Sequence, residues 1–304
     1  MVKIIQNCGY LGMGIMGASM AANLARSSKA DVSIWNRQPA SAASQAGIQK
    51  ATEAGARWVP DLAEIGAHSD IVFTCLGDEK DVEQVIIGDL APHLRSGTIV
   101  VDFSTIGPES ARTLAAALQK KSCVFLDAPV TGGDVGARNG TLTIMVGGDR
   151  VAYDAALPLL QHMGKNVHHC GEPGSGQAMK MVNQILCAVN LVSVCEAFKA
   201  ARDLDIDPVK VVDILENGAG GSWALTNLGR RINNGDLKPA FSIKHMLKDL
   251  RLVFENLDHT APGLAGTAMA QRYLQEVLEA QSAKDADAAT NLGTQAMIEA
   301  KAFQ

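Results

Sequence analysis

Lys180, Asn183 and Gln184 stand at i, i+3 and i+4 among neighbours that are apolar or small: Ala178, Met179, Met181, Val182, Ile185 and Leu186. On a helix the three polar residues share one face. An ammonium beside two carboxamides can stabilise negative charge developing on an oxygen and then supply a proton to it. The ordinary pKa of lysine is about 10.4, and burial or a nearby cation lowers such a value. A solvated stripe on a surface helix accounts for the same pattern, so spacing alone leaves both readings open.

Two further motifs are rich in glycine. Gly12-Met13-Gly14-Ile15-Met16-Gly17 reads G-x-G-x-x-G, between an apolar run of strand type and an Ala-rich run of helix type. In that setting the first glycine permits a tight turn, the second lets the backbone approach a pyrophosphate, and the third allows helix–strand packing. All six residues are therefore candidates for dinucleotide binding. Thr131-Gly132-Gly133 follows another strand-like run. Its backbone amides and hydroxyl suit a substrate carboxylate, with a plain turn as the alternative.

Cofactor choice is read from Asn36-Arg37, at the end of the second strand-like run. An NAD enzyme usually carries an acid there for the ribose hydroxyls. An amide and a guanidinium suit a 2′-phosphate instead. NADP(H) is the expected cofactor, with NAD as the alternative. Leu76-Gly77 at the end of one further strand and Thr105 just past another lie where ligands of open α/β sheets bind. Asp81 is another cofactor candidate, although an acid at a helix start needs no ligand.

The elements that must position these residues alternate in the first half. Strands are expected over 7–11, 32–35, 71–76, 98–102, 123–127 and 141–146, with helices such as 16–27 and 108–121 between them. This order predicts a parallel sheet covered on both faces. From about residue 174 the pattern is helical, over 176–204, 208–217, 223–233, 242–257 and 266–279. The first of these would be about 43 Å long at 1.5 Å per residue. Ile243, Met246, Leu247, Leu250, Val253, Phe254 and Leu257 mark one buried face of the fourth, and Ser242 is its expected N-cap. The expected fold is α/β: a Rossmann doubly wound sheet followed by an all-helical C-terminal domain, joined by a long interdomain helix. The domains are residues 1–170 and 171–304, with the active site in the cleft between them.

Composition narrows the remaining classes. The chain has 304 residues, a net charge of −5 and 47% hydrophobic residues. No basic stripe is present, so nucleic acid is not an expected partner. Cys8, Cys75, Cys123, Cys170, Cys187 and Cys195 form no C-x-x-C pair and read as buried reduced thiols. His168-His169 lacks metal-ligand spacing, so no metal is expected. The start, Met1 to Gln6, does not read as a signal peptide. No apolar stretch reads as a span of roughly 20 residues free of polar interruption. A cytoplasmic protein without a membrane partner is expected.

With these motifs in hand, the chain resembles the β-hydroxyacid dehydrogenase family, which includes 3-hydroxyisobutyrate dehydrogenases, tartronate semialdehyde reductases and glyoxylate/succinic semialdehyde reductases. The resemblance is carried by residues 10–24 around the glycine motif and by Asp102-Phe103-Ser104-Thr105. It continues through Asp127-Ala128-Pro129-Val130-Thr131-Gly132-Gly133, the run 140–148, Gly174-x-Gly176-x-x-x-Lys180-x-x-Asn183-Gln184 and Lys248-Asp249. It implies hydride transfer between a nicotinamide and a short β-hydroxyacid or semialdehyde, with Lys180 as general acid–base and Asn183 as its partner. It also implies that Lys248 approaches cofactor and substrate, and that the protein is a homodimer or homotetramer. Met13 replaces a commoner leucine, Thr131 a usual serine and Gln184 a frequent second asparagine; the last two face the substrate in this reading. Trp223 and Phe241 either wall the substrate pocket or belong to the core. Two other functions compete. Imine reduction is disfavoured because imine reducers of related fold usually lack the helix lysine. A non-catalytic NADP-binding module should have lost Lys180 or Asn183, and neither is lost.

Overall fold

The computed structural model describes residues 5–257, 262–285 and 291–304, so the first four residues of the N-terminal reading lie outside it. The chain divides into two compact units, Met1–Lys180 and Met181–Gln304.

The first unit is built on nine strands: β1 (Asn7–Leu11), β2 (Asp31–Trp35), β3 (Arg57–Trp58), β4 (Ile71–Thr74), β5 (Ile99–Asp102), β6 (Val124–Asp127), β7 (Val130–Thr131), β8 (Leu142–Gly148) and β9 (Gly164–Gly171). Their order is β3-β2-β1-β4-β5-β6-β8-β7, with β9 paired to β8. The strands from β3 to β6 are parallel, as Val- and Ile-rich runs buried on both faces should be. Ile71–Thr74 and Ile99–Asp102 are buried at every position. The connecting helices are α1 (Ile15–Ser27), α2 (Ala42–Glu53), α3 (Leu62–His68), α4 (Glu79–Glu83), α5 (Pro108–Gln119), α6 (Gly133–Asn139) and α7 (Arg150–Leu160). Strand order reverses direction between β1 and β4, the switch point at which such sheets bind ligands beyond their carboxyl ends.

The structure corrects two expectations for this sheet. It is not wholly parallel, because β8 runs antiparallel to β6 and β7. It also holds three strands that periodicity did not predict. β3 and β7 have two residues each, too few to show alternation. β9 carries exposed Lys165, Asn166 and His168 because it is a sheet edge paired on one side, and edges tolerate polar residues.

The long helix α8 (Ser175–Asp203) opens in the first unit and continues into the second. In the second unit it is followed by α9 (Pro208–Leu215), a π-helical segment (Ala224–Gly229) continued by α10 (Arg230–Asn233), then α11 (Ile243–Asn256) and α12 (Ala265–Ser282). Short 3-10 turns close the chain over Thr294–Glu299 and Lys301–Phe303. Ser242 caps α11 by accepting from the His245 amide at 3.2 Å. The Ala188, Leu191, Val192, Cys195 and Phe198 side chains of α8 pack with Val212, Leu225, Ile243, Leu250 and Leu274 into one core. Fully burying a Val, Leu, Ile or Phe side chain stabilises by roughly 1.5–3 kcal/mol. α8 is long and apolar enough to cross a bilayer by length and composition, with mean hydropathy 1.5. Part of that apolarity serves the core of the second unit, while Met179, Val182 and Leu186 stay exposed.

None of the six cysteines is in a disulfide; Cys8, Cys123 and Cys195 are buried, whereas Cys75, Cys170 and Cys187 are only half-buried.

Candidate active site

The glycine loop joins β1 to α1. Gly12 has φ +98°, and a Cβ there would lie 2.2 Å from the carbonyl oxygen of Cys75. A Cβ on Gly17 would lie 2.1 Å from the carbonyl oxygen of Gly12. Neither position admits a side chain. Around Gly14, by contrast, a Cβ would meet nothing within 4 Å. Gly14 and Ile15 are exposed, and no side chain caps the first turn of α1. The loop therefore closes tightly on its protein side and presents helix-end amides in open space on the other. That arrangement fits a dinucleotide pyrophosphate.

Asn36 and Arg37 sit beside this loop with different duties. Asn36 Oδ1 accepts from the Met13 amide at 2.9 Å, and its Nδ2 donates to Ser44 Oγ at 2.8 Å. Its side chain pins the glycine loop to α2. The Arg37 guanidinium is half-exposed and pairs with Asp81 at 2.6 Å, which raises the arginine pKa further. The structure thus brings together two cofactor candidates that the sequence treated separately. Leu76 is half-buried and Gly77 exposed just beyond β4.

The carboxyl ends of β4, β5 and β6 form one register row, Thr74–Asp102–Asp127. Asp102 Oδ1 accepts from Thr74 Oγ1 at 2.7 Å, Ser104 Oγ at 2.6 Å and the Ser104 amide at 3.1 Å. Its Oδ2 is buried with no hydrogen-bond partner among the described residues. Burial pushes the Asp102 pKa up to about 6, against the Ser104 and Thr74 hydrogen bonds and with help from Asp127. Ser104 Oγ also accepts from the Leu76 amide at 2.9 Å, so one hydroxyl ties the two loops that carry Leu76 and Thr105. Asp127 accepts the amides of Gly174 at 2.7 Å and Gln177 at 2.8 Å, at the start of α8. Burial raises its pKa, and those amide bonds oppose the rise. The sequence reading passed over Ser104, Asp102, Asp127 and Gln177 as site residues. Their signal was present but faint: polar residues at the ends of apolar strands, and a glutamine one helical turn before Lys180.

Lys180 is 6% exposed, and its Nζ donates to the Val130 carbonyl at 2.9 Å. That carbonyl immediately precedes Thr131-Gly132-Gly133, where α6 begins. Thr105 is half-buried in a stretch, 101–108, that is otherwise buried. The first unit thus gathers Leu76, Thr105, the Val130 carbonyl and Lys180 at the carboxyl end of its sheet.

In the second unit Asn183 Nδ2 donates to Gln184 Oε1 at 2.8 Å, and Gln184 Nε2 donates to Asp249 Oδ2 at 2.6 Å. Asp249 is 3% exposed and also pairs with Lys248 at 3.2 Å. Gln184 is buried within this network, and Asn183 is half-buried. Phe241 packs on the second core and stacks with His245 at 5.9 Å. Trp223 is 60% exposed. Among the described residues no group of three or more His, Cys, Asp or Glu side chains is arranged to hold a metal.

Known proteins resemble the chain over nearly its whole length. Residues 7–171 match the family model of the NAD-binding domain of 6-phosphogluconate dehydrogenase. Residues 174–293 match that of the NAD-binding region of NADP-dependent 3-hydroxyisobutyrate dehydrogenase. An uncharacterized oxidoreductase of Synechocystis sp. is 42% identical over 90% of this chain and 92% of its own. The 2-hydroxy-3-oxopropionate reductase of Escherichia coli is 35% identical over 86% and 88%. A solved structure of Mycobacterium tuberculosis 3-hydroxyisobutyrate dehydrogenase with L-serine superposes with TM-score 0.81 at 30% identity, covering 97% of this chain and 99% of that one. The chain belongs to the β-hydroxyacid dehydrogenase family and is an NAD(P)-dependent oxidoreductase.

Proposed function

We propose that the enzyme prefers NADP(H) and interconverts a short acidic semialdehyde and its β-hydroxyacid, of the 2-hydroxy-3-oxopropionate, succinic semialdehyde or 3-hydroxyisobutyrate type, with Lys180 as general acid–base. The observation that carries this reading is Lys180 itself. A buried ammonium on a mostly apolar helix is costly unless its charge is used, and this one donates to the carbonyl just before the Thr131-Gly132-Gly133 loop.

A bound nicotinamide would supply the hydride. Thr131 and the amides of Gly132 and Gly133 would hold the substrate carboxylate, placing the carbonyl oxygen near Lys180 Nζ. As a C–H bond forms at the carbonyl carbon, the C=O π pair moves to oxygen. Lys180 stabilises that charge and transfers a proton from Nζ to oxygen, leaving a neutral amine. In oxidation the neutral amine takes the proton back. Asn183, three residues on along α8, would orient the substrate, with Gln184 and Lys248 supporting it. Gly12 to Gly17, Asn36, Arg37, Leu76, Gly77, Asp81 and Thr105 would form the cofactor groove, Arg37 facing a 2′-phosphate. Trp223 and Phe241 are assigned to the substrate wall. The L-serine in the mycobacterial relative's structure, a small molecule with a carboxylate and a hydroxyl, supports this substrate class. Exposed Met179, Val182 and Leu186, at i, i+3 and i+7 of α8, support self-association into a dimer or tetramer.

The test is turnover of a panel of semialdehydes, hydroxyacids and cyclic imines with NADPH and with NADH. Preferential NADPH-linked reduction of acidic semialdehydes is expected. Equal rates with the two cofactors, or imine reduction alone, would overturn the reading.

A further inference from the structure

We propose that Gln177 is a positioning residue for hydride transfer: its one carboxamide locks the Thr105 segment to the helix that carries Lys180. This rests on the proposed function, in which Thr105 belongs to the cofactor groove, and takes the nicotinamide to lie beside it.

Gln177 is fully buried. Its Nε2 donates to the Ser104 carbonyl at 2.8 Å, and its Oε1 accepts from the amides of Ile106 at 3.1 Å and Gly107 at 3.2 Å. Residues 103–107 lie between β5 and α5 and belong to no regular element, so their backbone groups need partners from elsewhere. One side chain supplies three of those partners, on both sides of Thr105. A carboxamide donates and accepts at once in this planar geometry at any pH, which a carboxyl does only when protonated. The backbone of Gln177 is itself fixed, since its amide donates to Asp127 on β6. From the other side Ser104 is held by Asp102 and bonded to the Leu76 amide.

The result is a continuous chain of buried hydrogen bonds from β4 through β5 and β6 to the first turn of α8. Lys180 lies three residues after Gln177, so the two side chains emerge on the same side of that helix. The carboxamide therefore sets the spacing between the Thr105 segment and the root of Lys180. Misplacing reacting groups by about 1 Å can cost on the order of 10²-fold in rate. A purely structural glutamine would stabilise the fold without affecting how the nicotinamide half of the cofactor is held.

The test uses the full chain, with Gln177→Met to remove donor and acceptor at similar volume, and Gln177→Glu to keep the acceptor. Thr105→Phe, which fills the space beside the loop, is the control for nicotinamide placement. Each protein is titrated with NADPH and with 2′-phospho-ADP-ribose, which lacks the nicotinamide, and its Tm is recorded. The ratio of the two dissociation constants is the readout. We expect Gln177→Met to raise that ratio about three- to tenfold, through NADPH alone. Gln177→Glu should recover part of the loss as pH falls and its carboxyl gains a proton to donate to Ser104. If Gln177→Met does not fold, the ratio and its pH dependence in Gln177→Glu decide. A ratio within twofold of the unmodified protein, with only Tm lowered, makes Gln177 purely structural and overturns the proposal. If Thr105→Phe raises the ratio and the Gln177 variants do not, the proposal fails alone. If no variant raises it, the nicotinamide placement fails as well.

Discussion

Freeing Arg37 from Asp81 should tighten NADPH binding. The two side chains meet at 2.6 Å but are 46% and 34% exposed, so water and salt screen the pair. Exposed ion pairs contribute roughly 0–1 kcal/mol. In the proposed groove, a 2′-phosphate must compete with Asp81 for the guanidinium and also meets the carboxylate's like charge. Asp81→Asn removes both penalties. NADPH affinity should then rise about two- to fivefold, the equivalent of roughly 0.4–1 kcal/mol, while NADH affinity stays within twofold. Arg37→Ala should act the other way. A charge-assisted hydrogen bond contributes ~1.5–3 kcal/mol, so NADPH should weaken about tenfold to a hundredfold and NADH much less. The assay is a fluorescence titration of both cofactors against the two single variants and the double variant, at low and high ionic strength. The gain from Asp81→Asn should shrink in the Arg37→Ala background and at high salt. Weaker NADPH binding in Asp81→Asn would refute the reasoning, because Asp81 would then be holding Arg37 in its binding pose.

Three further outcomes are expected. Asp102 binds its proton more tightly folded than unfolded, since burial raises its pKa from 3.8 to about 6. The stability it contributes is complete below the unfolded value and is lost as pH rises through about 6, at a cost on the order of 2–3 kcal/mol. Asp102→Asn can still accept at Oδ1, so denaturant unfolding should shift in its favour, relative to the unmodified protein, by about that amount between low and neutral pH; a pH-independent difference would contradict this. Thr131→Val should raise KM for carboxylate substrates about tenfold or more while leaving NADPH affinity unchanged, as loss of a hydrogen bond to a charged group implies; an equal effect on aldehydes without a carboxylate would rule out the anchor. Gly12→Ala should abolish binding of both cofactors in direct titration, because its Cβ would meet the Cys75 carbonyl oxygen at 2.2 Å; retained affinity would show that the loop adapts.

The parallel half of the sheet was legible in the sequence because both of its faces are covered. Runs such as Ile71–Thr74 and Ile99–Asp102 are apolar up to their last, polar residue and are buried at every position. The glycine motif was legible because sterics dictate it: Gly12 and Gly17 face carbonyl oxygens too close to admit a Cβ. Strand β9 was not, since its edge position permits polar residues that read as loop. Nor was the reversed direction of β8, because an apolar strand reads the same in either direction. At the site, Lys180 was visible as an anomaly on an apolar helix. The roles of Asn36 and Gln177 were not visible, because each bonds to backbone 23 and more than 70 residues away. Spacing reveals helix faces, but the partners of a buried amide come only from the tertiary structure.

The most direct test of the central claim is single-turnover reduction of 2-hydroxy-3-oxopropionate by Lys180→Ala, beside a direct NADPH titration of the same variant. Positioned proton transfer contributes roughly 10²–10⁴-fold, so the reduction rate should fall by about that factor while NADPH affinity stays within about twofold. Lys180→Arg should not restore the rate, because guanidinium barely releases its proton and has a different shape. Retention of more than about a third of the unmodified rate, where the chemical step limits turnover, would contradict the account and move the proton donor to another group.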